Sequence, residues 1–358
     1  MELRGLLRKK SIFSFIIIAC YMFAVMGFIS GNAEAKQIVI KAGHVEPVGT
    51  PLDKGWRVFK EYVESASGGQ IKVDLYPAGQ LGGMRELFEG VKLGAYPIAQ
   101  GDEGAMASFY KPFLIVSIPY LFPNEEVGMR FYRSDFFRNK INKGLIEHTG
   151  VRFLAGASYG FRCFTNNKRP IKTPADLKGL KIRVMETPLF VTFVRSMGAG
   201  ATPISFTELY TALQQGTVDG QENPVGIIAD QKFFEVQKYL TIDEHVLGVN
   251  SMLINEKFLQ GLPENLREII ITGAHLETYV ETGGRAYEAH VESLGFLKKK
   301  GMQVTNLTPE QKQAFKNASQ PPVVKWLKTQ IDPALVDEAF QVVKQIEEEI
   351  ATEAGAIK

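Results

Sequence analysis

KIRVMETPLFVTFVRSMGAGATPISFTELYTALQQG, residues 181–216, decides the fold class. Lys181–Val184 alternates, with Ile182 and Val184 on one face and Lys181 and Arg183 on the other, as a strand does. Thr187-Pro188 then opens a helix with proline at its first position. Ser205-Phe206-Thr207-Glu208 has capping-box spacing, and its helix runs to Gly216. The same alternation of strand and helix extends outward in both directions. Toward the N-terminus lie a β-branched run at 38–41, a helix at 53–65 with Trp56, Phe59 and Val63 on one side, a strand at Ile71–Tyr76, and a helix at Met84–Leu93 stopped by Gly94. Residues 151–155 and 161–164 are strand candidates. Toward the C-terminus, 246–254 is a long apolar strand. A helical stretch of more than 30 residues follows Pro263, weakened at Gly283-Gly284. Thr308-Pro309-Glu310-Gln311 caps a further helix, and the last one starts near Pro333. This is an α/β pattern. With no internal repeat and no low-complexity linker, two lobes sharing a hinge fit better than two separate domains.

The 358 residues are 45% hydrophobic and 22% charged, which excludes disorder, collagen and coiled coil as whole-chain descriptions. The N-terminus carries Arg4, Arg8, Lys9 and Lys10, then an apolar run from 12 to 29, then Ala33-Glu34-Ala35. That order reads as a secretory signal peptide spanning 1–35 and cleaved after Ala35. Retention as a membrane anchor is the alternative, and a lipoprotein reading of Cys20 is disfavoured because the apolar run continues past it. Beyond residue 35 the chain holds 37 basic and 37 acidic residues. A net charge of zero carries no electrostatic footprint for nucleic acid. It also holds one cysteine, Cys163, which leaves no intramolecular disulfide in the oxidising compartment that export implies.

The five histidines (44, 148, 245, 275 and 290) are scattered, and no HExxH or paired CxxC is present, so no metal site is expected. There is no phosphate-binding P-loop. Gly156-Ala157-Ser158-Tyr159-Gly160 matches G-x-S-x-G on letters. That motif needs a helix after the serine, and 161–165 looks like another strand, so a Gly-flanked crossing between strands is the better reading.

Three features point to anion binding. Arg183 ends a strand, where ligands of open α/β sheets sit, and a guanidinium grips a carboxylate through two parallel hydrogen bonds. From pattern alone, a solvated arginine at a strand end is the better reading. Arg162 lies between Phe161 and Phe164, either partly shielded or reaching to the surface. Asp219-Gly220-Gln221-Glu222-Asn223-Pro224 crowds polar side chains into a turn, with Pro224 positioned to start a helix; Asn223 can donate to a carboxylate, or the turn can satisfy itself.

At these residues the chain resembles the extracytoplasmic solute-binding proteins of TRAP transporters, the DctP family. The resemblance covers 38 to the C-terminus. Its most specific block spans 160–239 and holds GFRCFTNNKRPIKTPADLKGLKIRV, TPISFTELYTALQQGTVDGQENP and KFFEVQKYL, with Leu75-Tyr76-Pro77, Gln80-Leu81-Gly82 and Arg85-Glu86 as an N-terminal signature. The resemblance implies a two-lobed, periplasmic-binding-protein-like clam of α/β class, with crossing strands and a long helix spanning both lobes. Lobe I would be 36–159 plus 249–288, and lobe II 160–248 plus 289–358. It further implies that Arg183 clamps a ligand carboxylate, that Arg162 assists, that Asn223 reaches the same carboxylate, and that Phe206 packs beside it. His44 and Asp102 or Glu103 would face the cleft from the first lobe. Relatives often have proline after the K-[IL]-R-V motif, where this chain has Met185-Glu186. A cleft-facing Glu186 would accept a hydroxyl or amine and repel a second carboxylate. No metal or other cofactor is implied, because Asn223-Pro224 stands where metal-dependent relatives carry an acid and a tryptophan. The implied function is capture of a small organic acid in the periplasm and delivery to the small and large membrane subunits of a TRAP transporter, by a monomer and without catalysis. A sensor module for an organic acid, a secreted hydrolase using Ser158 and a structural envelope protein are the alternatives.

Overall fold

The computed structural model describes residues 37–356, and the fold is that of the compact unit that begins at Val39. The signal-peptide reading of 1–35 lies outside the described residues. Among those residues no helix is long and apolar enough to cross a membrane.

Nine strands form one sheet: β1 (Ile38–Gly43), β2 (Ile71–Tyr76), β3 (Ile98–Gly101), β4 (Val151–Asn166), β5 (Lys181–Val184), β6 (Gly200–Pro203), β7 (Gly220–Asn223), β8 (Tyr239–Asn255) and β9 (Gln303–Asn306). Their order is β2-β1-β3-β8-β4-β7-β5-β6, with β9 beside β8. β4 and β8 pair antiparallel from Val151–Asn255 at one end to Asn166–Tyr239 at the other. At about 3.3 Å per residue this ribbon is roughly 50 Å long. β3 joins the 251–254 end of β8, whereas β7 joins the 163–166 end of β4. Because the two strands are antiparallel, these are opposite ends of the ribbon. Parallel α/β structure therefore grows outward from each end, which is the two-lobed architecture expected from the sequence.

The ribbon is interrupted where it crosses. Register shifts fall at Phe153/Ala155, Ser158/Gly160 and Arg162/Phe164. Gly160 has φ +98° and faces Gly248 across the pair. A Cβ on Gly248 would stand 2.4 Å from the Tyr159 ring. The two expected strands at 151–155 and 161–164 are thus one bent strand, and Ser158 lies inside it with no helix following. The hydrolase arrangement is absent.

A helical run crosses in parallel with the ribbon. The helix Glu264–Tyr287 packs on the helix Pro51–Ala66 and on β4. It passes through a π turn at Glu288–Glu292 into Ser293–Lys299, which packs on the helix Val225–Asp230. The expected weakening at Gly283-Gly284 does not appear. Gly284 sits where a Cβ would approach the Pro51 ring to 2.7 Å, so it permits helix packing rather than ending the helix. The irregularity falls a few residues later.

Two further expectations are corrected. No side-chain cap forms at Ser205, because the Glu208 amide that its hydroxyl would cap donates instead to the Ser205 carbonyl (3.1 Å) in a 3-10 turn, Phe206–Glu208. The DGQENP segment is not a turn. Gly220–Asn223 is the buried strand β7, between β4 and β5, and Pro224 caps the next helix. Turn-prone residues adopt a strand here because their polar atoms are satisfied in the sheet. Gln221 Nε2 donates to Thr165 Oγ1 at 2.9 Å, and the Asn223 amide donates to Gln221.

Candidate functional site: an unpaired guanidinium in a cavity

Arg183 is the third residue of β5, which runs parallel to β6 and β7, and it sits at the carboxyl end. It is 2% exposed. Nε donates to the Ile204 carbonyl at 2.8 Å, and Nη1 has no partner. Among the described residues Arg183 forms no ion pair with a carboxylate. Burial pulls its pKa down to about 10, against the partial support of Glu222, Asp102 and Glu186. A buried cation in this state lacks a counter-ion, and native structures pair such charges.

The unpaired group faces a cavity with about 360 Å³ of empty space, part of it open to solvent. Arg183, Asn223, Phe206 and Met185 line it from the β5–β7 end of the sheet, and Glu46, Gln100, Asp102 and Asn250 from the β1–β3 end. Arg162 and Tyr159 reach it from β4. Contacts also run between the two ends: Ser108 Oγ donates to the Glu186 carbonyl at 3.1 Å, and Gly104 packs against Met185.

Arg162 also lines the cavity, but it is engaged elsewhere. Its Nε and Nη2 grip the Glu222 carboxylate, Nη2 also donates to the Glu222 carbonyl at 2.7 Å, and Nη1 donates to Tyr159 Oη at 2.8 Å. Four of five donors are occupied, so one N–H remains to offer a ligand. Glu222 Oε2 also meets His245 Nε2 at 3.1 Å, and His245 Nδ1 meets Asp243 Oδ2 at 2.7 Å. Burial would raise the Glu222 pKa, but Arg162 and His245 overcome it and hold the carboxylate at about 2. Arg162 is therefore charge-balanced within the protein, in contrast to Arg183.

The other expected residues divide. Asn223, Phe206 and Asp102 line the cavity. Asp102 caps the helix Glu103–Phe109, accepting from the Ala105 amide at 2.7 Å, and burial raises its pKa. Glu103 does not line it; it is buried behind Tyr159, whose hydroxyl lies 3.3 Å from Oε1. His44 does not line it either. It is fully buried, with Nε2 3.4 Å from Asp53 Oδ1 and its ring 5.6 Å from that of Trp56. Glu186 is exposed and lines a neighbouring pocket, and Met185 takes the inward position. The alternation of β5 carries past Val184 only as far as Met185, so the residue after it turns to solvent.

Sequence reasoning missed Glu46, Gln100 and Asn250. Gln100 Nε2 donates to Asn250 Oδ1 at 2.9 Å, and Asn250 Nδ2 donates to Glu46 Oε1 at 3.1 Å and Glu281 Oε1 at 2.6 Å. Behind Glu46 stands Arg285, paired with Glu46 and with Asp230 (2.7 Å) and Glu288 (3.0 Å). The one signal available was a glutamine inside the otherwise apolar strand IAQG.

These buried acids set a pH dependence. Burial pushes Glu103 up to about 8 and Glu281 and Glu288 up to about 7. Each is favoured in the folded protein only when protonated, so its contribution erodes as pH rises from about 4.5 through those values. His245 acts in the same direction: burial opposes its charge, but Asp243 and Glu222 raise its pKa, so its stabilisation fades as pH rises past the folded value. Glu222 acts oppositely, losing its stabilisation only as pH falls below about 4.5 toward 2. The melting temperature of the ligand-free protein is expected to peak near pH 5 (an order-of-magnitude position) and decline toward pH 8. Scanning calorimetry across that range checks this; a melting temperature that climbs from pH 5 to 8 contradicts it.

Comparison with known proteins places this arrangement. Residues 42–330 match the family model for the bacterial extracellular solute-binding protein, family 7 (DctP). The chain belongs to this family. A solute-binding protein of Verminephrobacter eiseniae is 35% identical over 246 residues, 69% of this chain and 72% of that one. The structure of a TRAP periplasmic solute-binding protein from Ochrobactrum anthropi, with its C-terminus bound in the ligand-binding pocket, is 36% identical with TM-score 0.77, covering 89% of this chain and 99% of its own. The sugar acid binding protein DctPAm from Advenella mimigardefordensis, in complex with galactonate, is 29% identical with TM-score 0.82, covering 87% and 99%. The DctP family consists of periplasmic solute-binding proteins that carry small carboxylates and sugar acids for TRAP permeases, and not of enzymes.

Proposed function

We propose that this solute-binding protein captures one small organic acid by pairing its carboxylate with Arg183, closes over it, and presents it as a periplasmic monomer to the small and large membrane subunits of a TRAP transporter. The observation that carries the reading is the buried Arg183 guanidinium with no counter-carboxylate, facing the cavity. Asn223 and the remaining N–H of Arg162 would complete the grip, and Phe206 would pack against the ligand. Galactonate in the DctPAm complex is one acid of this chemical kind.

Lobe I would comprise 36–159 plus 249–288, and lobe II 160–248 plus 289–358. In support, two of the three crossings carry an irregularity at those boundaries: the Ser158/Gly160 register shift on β4, opposite Gly248 of β8, and the π turn Glu288–Glu292. Irregular backbone absorbs the φ/ψ change of a hinge. Closure would be driven by contacts that exist only when both walls meet the ligand.

A thermal-shift screen against organic acids tests the function. At ligand a hundredfold above its dissociation constant, stabilisation is about 2.7 kcal/mol, a rise of several degrees. A flat response to every carboxylate at millimolar concentration contradicts the proposal.

A further inference from the structure

We infer that the cavity takes a monocarboxylate whose remainder carries hydroxyl groups, and that Glu46, Asn250 and Gln100 form the subsite that reads those hydroxyls. The inference rests on Arg183 holding the carboxylate, as proposed above.

Charge is the first argument. Two arginines and no lysine line the cavity, and Arg162 is neutralised by Glu222. One cation is left, and one ligand carboxylate balances it. A second carboxylate would meet the opposite wall, where the titratable groups are Asp102 and Glu46. Arg285 behind Glu46 adds no free positive charge. It already faces Glu46, Asp230 and Glu288 in ion pairs, with Glu281 Oε1 3.7 Å away. A doubly charged acid would therefore bury one carboxylate unpaired, beside like charges.

Hydrogen-bonding capacity is the second argument. Both amide protons of Asn250 are engaged by Glu46 and Glu281, and its Oδ1 has one lone pair left beyond Gln100. Gln100 Oε1 accepts from the Val45 amide at 2.9 Å, which leaves one Nε2 proton free. The wall thus offers mostly acceptors, on Glu46, Asp102 and Asn250, and one donor on Gln100. A hydroxyl donates and accepts, so several hydroxyls satisfy this wall. An alkyl chain would leave these groups desolvated and unpaired. Glu46 already pairs with Arg285, so the subsite does not depend on a ligand ammonium. The apolar lining of Val45, Met84 and Ile227 is left for the C–H faces of the ligand.

The test is titration calorimetry with acids matched in carbon number. The four-carbon set is erythronate, tartrate and butyrate; the six-carbon set is gluconate, glucarate and hexanoate. In at least one set the hydroxylated monocarboxylate should bind about 100-fold or more tighter than the dicarboxylate, and roughly tenfold or more tighter than the alkyl acid. Glu46→Gln should weaken the hydroxylated acid by roughly 10- to 100-fold while shifting the alkyl acid less than about threefold. Gln100→Leu, which leaves the Arg285 pair intact, should act in the same direction. If in both sets the dicarboxylate or the alkyl acid binds as well as the hydroxylated one, and Arg183→Ala still abolishes its binding, this inference fails while the Arg183 reading stands. If no acid binds, both fail together.

Discussion

Replacing Arg183 with alanine is expected to weaken ligand binding by roughly 30-fold to several thousand-fold, the 2–5 kcal/mol typical of truncating one partner of a desolvated ion pair. The ligand-free protein already holds this guanidinium away from water without a counter-ion. A pKa drawn down by burial to about 10 corresponds to a penalty on the order of 3 kcal/mol for keeping the charge. An incoming carboxylate removes that penalty, whereas alanine removes both the penalty and the partner. The variant should therefore fold at least as stably as the parent while losing its ligand, a combination that separates a binding role from a structural one. Arg183→Lys should also bind weakly, because an ammonium cannot present the planar fork and cannot keep the Ile204 carbonyl bond in the same geometry. Titration calorimetry reads both. An alanine variant that binds within twofold of the parent would remove Arg183 from the site.

Glu222→Gln is expected to show the opposite behaviour. Glu222 neutralises Arg162 and meets His245, with both partners almost fully buried. Taking away its charge leaves the Arg162 guanidinium uncompensated, at a cost of about 3–5 kcal/mol in stability. The melting temperature should fall by roughly 10 °C. A double variant, Arg162→Met with Glu222→Leu, should recover part of the loss, because removing both charges leaves none stranded. Chemical denaturation measures each step. A Glu222→Gln variant within about 1 kcal/mol of the parent would mean that Arg162 is balanced by another group.

Elements built from local signals were legible in the sequence. Ile71–Tyr76, Met84–Leu93 with its left-handed Gly94 cap, and Lys181–Val184 stand at the expected positions, because alternation, amphipathic spacing and a terminal glycine act within a few residues. Elements set by distant partners were not. β7 looks like a turn by composition and becomes a strand because β4 and β5 flank it. Gly284 looks like a helix break and instead fits against Pro51. At the site, the motif residues Arg183, Asn223 and Phe206 gather on one cavity, whereas His44 and Glu103 sit behind its wall. The difference between the two arginines is invisible in the chain: both stand in strands, and only the fold brings a carboxylate to Arg162 and none to Arg183. Gln100 and Asn250 lie 150 positions apart and meet only because β3 pairs with β8.

The most direct test is a crystal structure of the protein with its acid bound. Both carboxylate oxygens should lie about 2.7–2.9 Å from the Arg183 guanidinium nitrogens, with Arg162 still gripping Glu222. A carboxylate bound elsewhere in the cavity, with Arg183 making no contact to it, would contradict the central claim.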